Sequence, residues 1–158
     1  MTGMSITWTL RHHGWAVCAV SDSNARAEAV VSYVTGGPEA FLTAVANLVL
    51  GAPETRAEFE AEPTVYRWIF KRHGTNVDIR LLEVPSTKLS DEVGATAWAS
   101  QQPIDALARA VVRAFDAVAE EHGEGGYRAT WGRPFPHIEL AALRTAWRGT
   151  GRPQARFE

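Results

Sequence analysis

Two histidine-glycine pairs contain the residues whose chemical type and spacing could support proton transfer or metal binding. RHHG at 11–14 returns as KRHG at 71–74, each time with a tryptophan three residues upstream and a valine three residues beyond the glycine. Histidine can transfer protons or bind metal ions. A hairpin turn also explains the pairs, because it needs positive φ at its central positions, which glycine and, less often, histidine adopt. We expect His13-Gly14 and His73-Gly74 to be two-residue hairpin turns.

A metal site would need more ligands than this region supplies. Zinc takes three or four nitrogen or sulphur ligands in a tetrahedral arrangement. His12, His13, His73 and Cys18 have neither CxxC nor HxxxH spacing, and adjacent residues of a strand face opposite sides. The sequence therefore predicts no metal and no cofactor.

Catalytic motifs are also missing from the sequence. It contains no GxSxG, P-loop or GxGxxG pattern, and Cys18 lies in an apolar stretch typical of a buried thiol. We expect a protein that is not an enzyme. Catalytic residues that converge only in the folded chain stay open as an alternative.

Length and composition are those of one globular domain. The chain has 158 residues, of which 46% are hydrophobic and 22% charged, and its formal net charge is −2. One cysteine excludes an intramolecular disulfide and favours a reducing, cytoplasmic setting. We expect no leader segment and no membrane span, because the apolar runs fall far short of the ~18 residues that a spanning helix needs.

The hydrophobic periodicity predicts the same order of elements twice. Alternation predicts strands at 6–11, 15–21 and 27–35 and again at 64–71, 75–84 and 92–100, with helices starting at Pro38 and Pro103. We predict an α+β fold with one antiparallel sheet of about six strands, built from two β-β-β-α repeats (about 1–51 and 64–122) with two helices packed on it. The acidic segment 52–63 is expected to be a connector.

An arginine-rich and aromatic extension follows this duplicated scaffold of residues 1–122. Residues 123–158 start with a glycine-rich link and contain a third helix at 137–148, and we assign them to the same domain. Residues 125–158 carry six arginines against two glutamates, whereas residues 1–124 carry 10 Lys and Arg against 16 Asp and Glu. This asymmetry predicts two surfaces of opposite charge.

Both charged regions are candidate binding surfaces. Arginine and large aromatic residues are enriched where proteins bury an interface. The tryptophans could equally dock the extension onto the sheet. Nucleic acid is not expected as a partner, because the net charge is negative and no RRM, KH or helix-turn-helix signature occurs. The acidic candidates are Glu54, Glu58, Glu60 and Glu62, and the candidates in the extension are Arg128, Trp131, Arg133, Arg144, Trp147 and Arg148.

Two longer stretches carry a resemblance to a group of proteins. YVTGGPEAFLTAVANLV at 33–49, and YRATWGRPFP at 127–136 before a short last helix, resemble small uncharacterised α+β proteins of actinobacterial type. Some of these are immunity proteins of polymorphic toxin systems. The resemblance implies action by surface complementarity on a protein partner, such as a toxin, without catalytic residues.

Two functions therefore stay open. The first is a non-enzymatic cytosolic protein-binding domain, acting as an inhibitor or as a homodimer through exposed sheet edges. The second is a small-molecule binder or enzyme with a pocket between sheet and helices. The polar anchors of such a pocket would be Arg11, His12, Tyr66 and Tyr127.

Overall fold

The computed structural model describes residues 3–150 of the chain and is an α+β fold. Its strands are β1 (Ser5–Leu10), β2 (Trp15–Ser21), β3 (Arg26–Ser32), β4 (Glu54–Glu60), β5 (Val65–His73), β6 (Asn76–Val84) and β7 (Ala95–Pro103). Its helices are α1 (Gly37–Val49), α2 (Ile104–Trp131) and α3 (His137–Gly149), and a single 3-10 turn lies at Asp91–Val93. Within the described range, all strand pairs are antiparallel and form two sheets, ordered β1-β2-β3 and β4-β5-β6-β7.

Aromatic side chains from both sheets and two helices meet in the main core. The ring of Trp8 on β1 lies 5.5 Å from that of Phe59 on β4 and 5.2 Å from that of Phe115 on α2. Phe41 on α1 packs against Trp68 on β5 with a centroid separation of 5.0 Å. α1 and α2 thus bury their apolar faces against the sheets, and α3 packs on these two helices. Burial of apolar surface is the main source of stability for amphipathic elements.

Two hydrogen bonds tie the sheets together at β7. Trp98 Nε1 donates to the carbonyl oxygen of Ala25 at 3.2 Å, and Ser100 Oγ donates to Asp22 Oδ2 at 2.6 Å. Asp22 and Ala25 lie in the turn between β2 and β3. The bond from Ser100 is the main reason that the pKa of Asp22 lies below its usual value. The last strand of one sheet therefore fixes a turn of the other.

The prediction of one sheet of about six strands is wrong in strand number and in sheet number. The expected connector at 52–63 contains β4, which pairs with β5 along its whole length. Ala57 and Phe59 are buried, and the charged residues alternate with them as the period of a strand requires. Because four of the seven residues of β4 are charged, this alternation is masked in the sequence.

The two histidine-glycine segments form bends, but neither is the predicted turn. In the first, His13 and Gly14 both have positive φ, 53° and 83°, yet the amide of Arg11 bonds to the carbonyl of Trp15, which leaves a three-residue loop. In the second, His73 is the last residue of β5 and pairs with Asn76, so the two-residue turn consists of Gly74 and Thr75. His73 Nε2 lies 2.7 Å from Asp78 Oδ2.

The β-β-β-α order occurs in both halves, but the halves are not equivalent. The second meander carries β4 on its outer edge, and the first has no counterpart of this strand within the described residues. The division into a duplicated scaffold and an extension stays a prediction.

The predicted link at 123–127 is helical only after its first residue. Gly123 (φ 67°, ψ 168°) is non-helical and divides α2 into two segments, the second of which runs to Trp131. Gly132 (φ 100°) ends it in the left-handed conformation common at helix ends. The third predicted helix is present as α3. Residues 151–158 of the predicted extension lie outside the described residues.

Candidate protein-interaction surface

The four polar anchors of the predicted small-molecule pocket lie in different environments. Arg11 and His12 are exposed in the loop between β1 and β2, and Tyr66 is half-buried on β5. Tyr127 is fully buried and packs its ring 5.2 Å from that of Phe135. Burial, with a smaller contribution from Glu39, raises the pKa of Tyr127 above its usual value. Exposed side chains and a fully buried hydroxyl do not form one ligand pocket.

The acidic candidates have partners within the chain. Glu58 accepts hydrogen bonds from Arg67 Nε at 2.6 Å and from Thr87 Oγ1 at 2.5 Å. Glu54 accepts from Arg56 Nε at 3.2 Å. These two carboxylates lie on β4 and not on a loop, and their role in binding stays a prediction.

Glu60 and Glu62 complete the acidic set at the turn after β4. Glu60 accepts from the backbone amide of Glu62 at 3.1 Å, and Glu62 accepts from the hydroxyl of Ser32. The four carboxylates are therefore spread along one strand and its following turn. Of these, Glu58 connects β4 to β5, and Glu62 connects the turn to β3.

Arg67 is the centre of an ion-pair cluster on the outer face of the second sheet. Its side chain is only 7% exposed, and it donates to Glu58, to Asp91 Oδ1 at 2.9 Å and to the carbonyls of Thr87 and Leu89. Arg56 binds both oxygens of Asp91, at 3.1 and 2.6 Å. Hydrogen bonding, first from Arg56 and then from Arg67, lowers the pKa of Asp91 to about 2. The cluster fastens segment 85–93 to the sheet.

Most of the arginine-aromatic extension docks onto the rest of the fold. Trp131 is fully buried, with its ring 6.3 Å from that of Trp8, and Trp147 donates from Nε1 to Asp105 Oδ1 at 2.8 Å. Arg144 pairs with Asp116. Arg128 and Arg148 are exposed, so these two present their charge to solvent. Binding by the six residues stays a prediction.

Three segments meet at one corner of the molecule: the loop at 11–14, the loop at 33–35, and the last turn of α2 with the turn that follows it. The amide of Gly14 donates to the carbonyl of Thr130 at 3.0 Å, and the amide of Tyr33 donates to the carbonyl of Gly14 at 2.9 Å. Arg133 donates from Nε to the carbonyl of Tyr33 at 2.6 Å and from Nη2 to that of Val34 at 3.2 Å. We call segments 11–14, 33–35 and 128–133 the three-loop corner.

Tyr33 lies at the centre of the three-loop corner. A β-carbon on Gly14 would lie 2.5 Å from Tyr33 Cδ1, and one on Gly132 would lie 3.0 Å from Tyr33 Cδ2. Glycine at both positions, each with positive φ, lets the backbone approach both edges of the ring. The tyrosine nevertheless keeps 43% of its surface exposed, and Val34 beside it keeps 46%. The corner thus presents an aromatic side chain whose position is fixed by backbone.

The charged residues of the three segments are all basic. Arg11, His12, His13 and Arg128 are exposed, and the two imidazole rings lie 5.2 Å apart. Glu39 is half-buried, and burial is the main cause that raises its pKa above the usual value. Sequence reasoning singled out Arg11, His12, Arg128 and Arg133 separately. It did not single out Tyr33 or Val34 as candidates, because nothing in the local pattern shows that three distant segments meet.

A second exposed surface is an apolar groove along α3. It encloses about 530 Å³. Ile138 is 80% exposed and Leu50 is 67% exposed. The groove is lined by Leu50, Ile138, Ala141, Ala142, Thr145, Ala146, Gly149 and Thr150.

Residues 3–150 contain no group of three or more His, Cys, Asp or Glu side chains that could hold a metal ion. None of the helices described is both long and apolar enough to cross a membrane. Comparison of the chain with models of protein families, with curated proteins and with solved structures found no match.

Proposed function

We propose that the chain is a non-enzymatic protein-binding domain that acts through the three-loop corner. The observation that carries this proposal is the exposed ring of Tyr33, held between Gly14 and Gly132. Tyrosine and arginine, together with tryptophan, are enriched among the residues that dominate binding energy at interfaces. A side chain that is already ordered loses little further entropy on binding, so its contacts contribute more fully to affinity.

The kind of action that we propose is inhibition of a protein partner in a cytosolic setting. The resemblance to immunity proteins supports an inhibitor, for which a toxin would be the partner. The thiol of Cys18, the single cysteine, is unpaired, which suits a reducing compartment.

Affinity capture with matched variants tests the proposal. The wild-type chain, Tyr33→Ala and Ile138→Ala are immobilised and exposed to lysate of the native host, and thermal unfolding verifies that each variant is folded. We expect a partner that the wild type and Ile138→Ala retain equally. Tyr33→Ala should bind it roughly 30-fold more weakly, since a hot-spot truncation costs about 2 kcal/mol.

Ile138→Ala is the control because it truncates a still more exposed apolar side chain outside the corner. Val34→Asp serves as a second corner variant if Tyr33→Ala does not fold. Equal retention by wild type and corner variants, with loss in Ile138→Ala, would place the interface in the apolar groove and refute the proposal.

A further inference from the structure

We infer that the partner presents an acidic protein surface to the three-loop corner. This inference rests on the proposed function and adds to it the chemistry of the partner. It places the partner at the corner and not at the acidic candidates of 54–62, because those carboxylates bond within the chain whereas Arg11 and Arg128 are exposed.

The two exposed arginines of the corner are available to a partner. Within the described residues, neither Arg11 nor Arg128 forms an ion pair or a side-chain hydrogen bond. Arg11 opens the loop whose Gly14 amide binds Thr130. The carbonyl of Arg128 accepts from the amide of Gly132, which is the residue beneath the Tyr33 ring. Both arginines therefore extend from backbone segments that are fixed next to Tyr33.

Arg133 plays a different part. Its guanidinium already donates to the carbonyls of Tyr33 and Val34. It holds the 33–35 segment in place and adds positive charge to the corner. Because its guanidinium is already bonded, we do not count Arg133 among the arginines available to a partner.

Carboxylates that could neutralise these cations are engaged elsewhere. Glu124, in the same half of α2 as Arg128, lies 2.8 Å from His137 Nε2. Glu62 accepts from the hydroxyl of Ser32, and half-buried Glu39 interacts electrostatically with Arg133 and Glu139. The corner is thus a basic patch on a chain whose first 124 residues carry an excess of acidic residues. Such an uneven charge distribution orients an acidic partner toward the patch during approach.

An acidic protein fits this patch better than a nucleic acid does. Nucleic-acid binding depends on neutralising several phosphates along a strand, and log affinity rises with their number. The corner offers two uncommitted arginines, and apolar Val34 lies beside Tyr33 at its centre. A protein surface with carboxylates around an apolar centre is complementary to that arrangement.

NMR titration of the full ¹⁵N-labelled chain tests the inference with poly-L-glutamate as the probe. Poly-L-lysine and a single-stranded oligodeoxynucleotide of similar length are the comparison polymers. We expect polyglutamate to shift the amides of 11–14, 33–35 and 130–133 at low salt. The shifts should shrink as sodium chloride is added, because exposed charges are screened.

Two double variants separate the corner from general charge effects. Arg11→Glu with Arg128→Glu should weaken polyglutamate binding at least about tenfold, since each attraction becomes a repulsion. Arg80→Glu with Arg113→Glu makes the same change of net charge at exposed positions outside the corner and should leave binding unchanged. Equal effects of the two pairs, shifts outside the corner, or no shifts at all would overturn the inference. Tighter binding of the oligodeoxynucleotide at the corner would replace it with nucleic-acid recognition.

Capture of the natural partner by the Tyr33 and arginine variants distinguishes this inference from the proposed function. Capture that requires Tyr33 but is insensitive to the Arg11 and Arg128 reversals would refute the acidic partner and leave the interface standing. Capture that is insensitive to Tyr33 would refute both.

Discussion

Tyr33 Cδ1 would lie 2.5 Å from a β-carbon built on Gly14, so the tyrosine ring occupies the space that any larger residue at position 14 would need. The two residues are separated by β2 and β3, and their backbones are joined by the bond from the Tyr33 amide to the Gly14 carbonyl. Gly14 therefore does more than allow a bend. It fixes the aromatic side chain on which the proposed interface depends.

Gly14→Ala should destabilise the fold more than the same change at the other hairpin. Both glycines have positive φ, which costs an alanine roughly 1–2 kcal/mol. Nothing lies within 4 Å of a β-carbon at Gly74, whereas one at Gly14 meets Tyr33. We expect losses in the free energy of unfolding of about 3 kcal/mol for Gly14→Ala and about 1 kcal/mol for Gly74→Ala, measured by urea denaturation.

Tyr33→Ala provides the internal check of that explanation. In this background the cost of Gly14→Ala should fall to that of Gly74→Ala, because the steric conflict is gone. An unchanged cost would show that the ring does not limit position 14.

Arg67→Met should loosen segment 85–93 and destabilise the protein. The change leaves Glu58, Asp91 and two carbonyls without their buried donor. We expect a loss of about 2–3 kcal/mol, below the range for fully buried ion pairs because both carboxylates are partly exposed. Amide hydrogen exchange should accelerate in 85–93.

Arg80→Met on β6 is the matched control for Arg67→Met, since Arg80 is exposed. It should alter stability by no more than about 0.5 kcal/mol. Similar losses in the two variants would contradict the role given to Arg67.

Stability should fall in acid partly through Asp91. Its pKa is lowered to about 2 in the folded chain from an ordinary value of 3.8, so the folded state favours the carboxylate. The stabilisation is complete above pH 3.8 and is lost as the pH falls toward 2. The free energy of unfolding, measured between pH 5 and 2, should decline less steeply in Asp91→Asn than in wild type, and parallel curves would argue against this contribution.

Cys18 should not react with thiol reagents while the protein is folded. The side chain is fully buried on β2, and burial raises the pKa of the thiol to about 12, so the reactive thiolate is scarce. Labelling with iodoacetamide at pH 8 should be slow in buffer and fast in denaturant. Rapid labelling of the native chain would reveal opening of the core at β2.

The elements with strong local patterns could be predicted from the sequence, and the elements that depend on distant contacts could not. Pro38 and Pro103 correctly indicated where α1 and α2 begin, and Trp8 and Trp68 lie on buried faces as the alternation required. β4 was missed because its charged residues mimic a solvated connector. The separation into two sheets was missed because strand periodicity does not show which strands are neighbours.

The candidate site shows the same limit. Arg11, His12, Arg128 and Arg133 were recognised as candidates, but in two different hypotheses. Only the folded chain shows that their segments meet at Tyr33, since that arrangement depends on hydrogen bonds between residues about 100 positions apart, such as Gly14 with Thr130 and Tyr33 with Arg133.

Site-specific photo-cross-linking in the native host tests most directly whether the three-loop corner is the interface. A benzophenone amino acid is placed at Val34 in one variant and at Ile138 in another, and cross-linked products are identified by mass spectrometry. We predict a discrete adduct with an acidic protein from position 34 that is lost when Tyr33→Ala is added, and no adduct with that protein from position 138. A partner that cross-links from position 138 and not from position 34 would contradict the account.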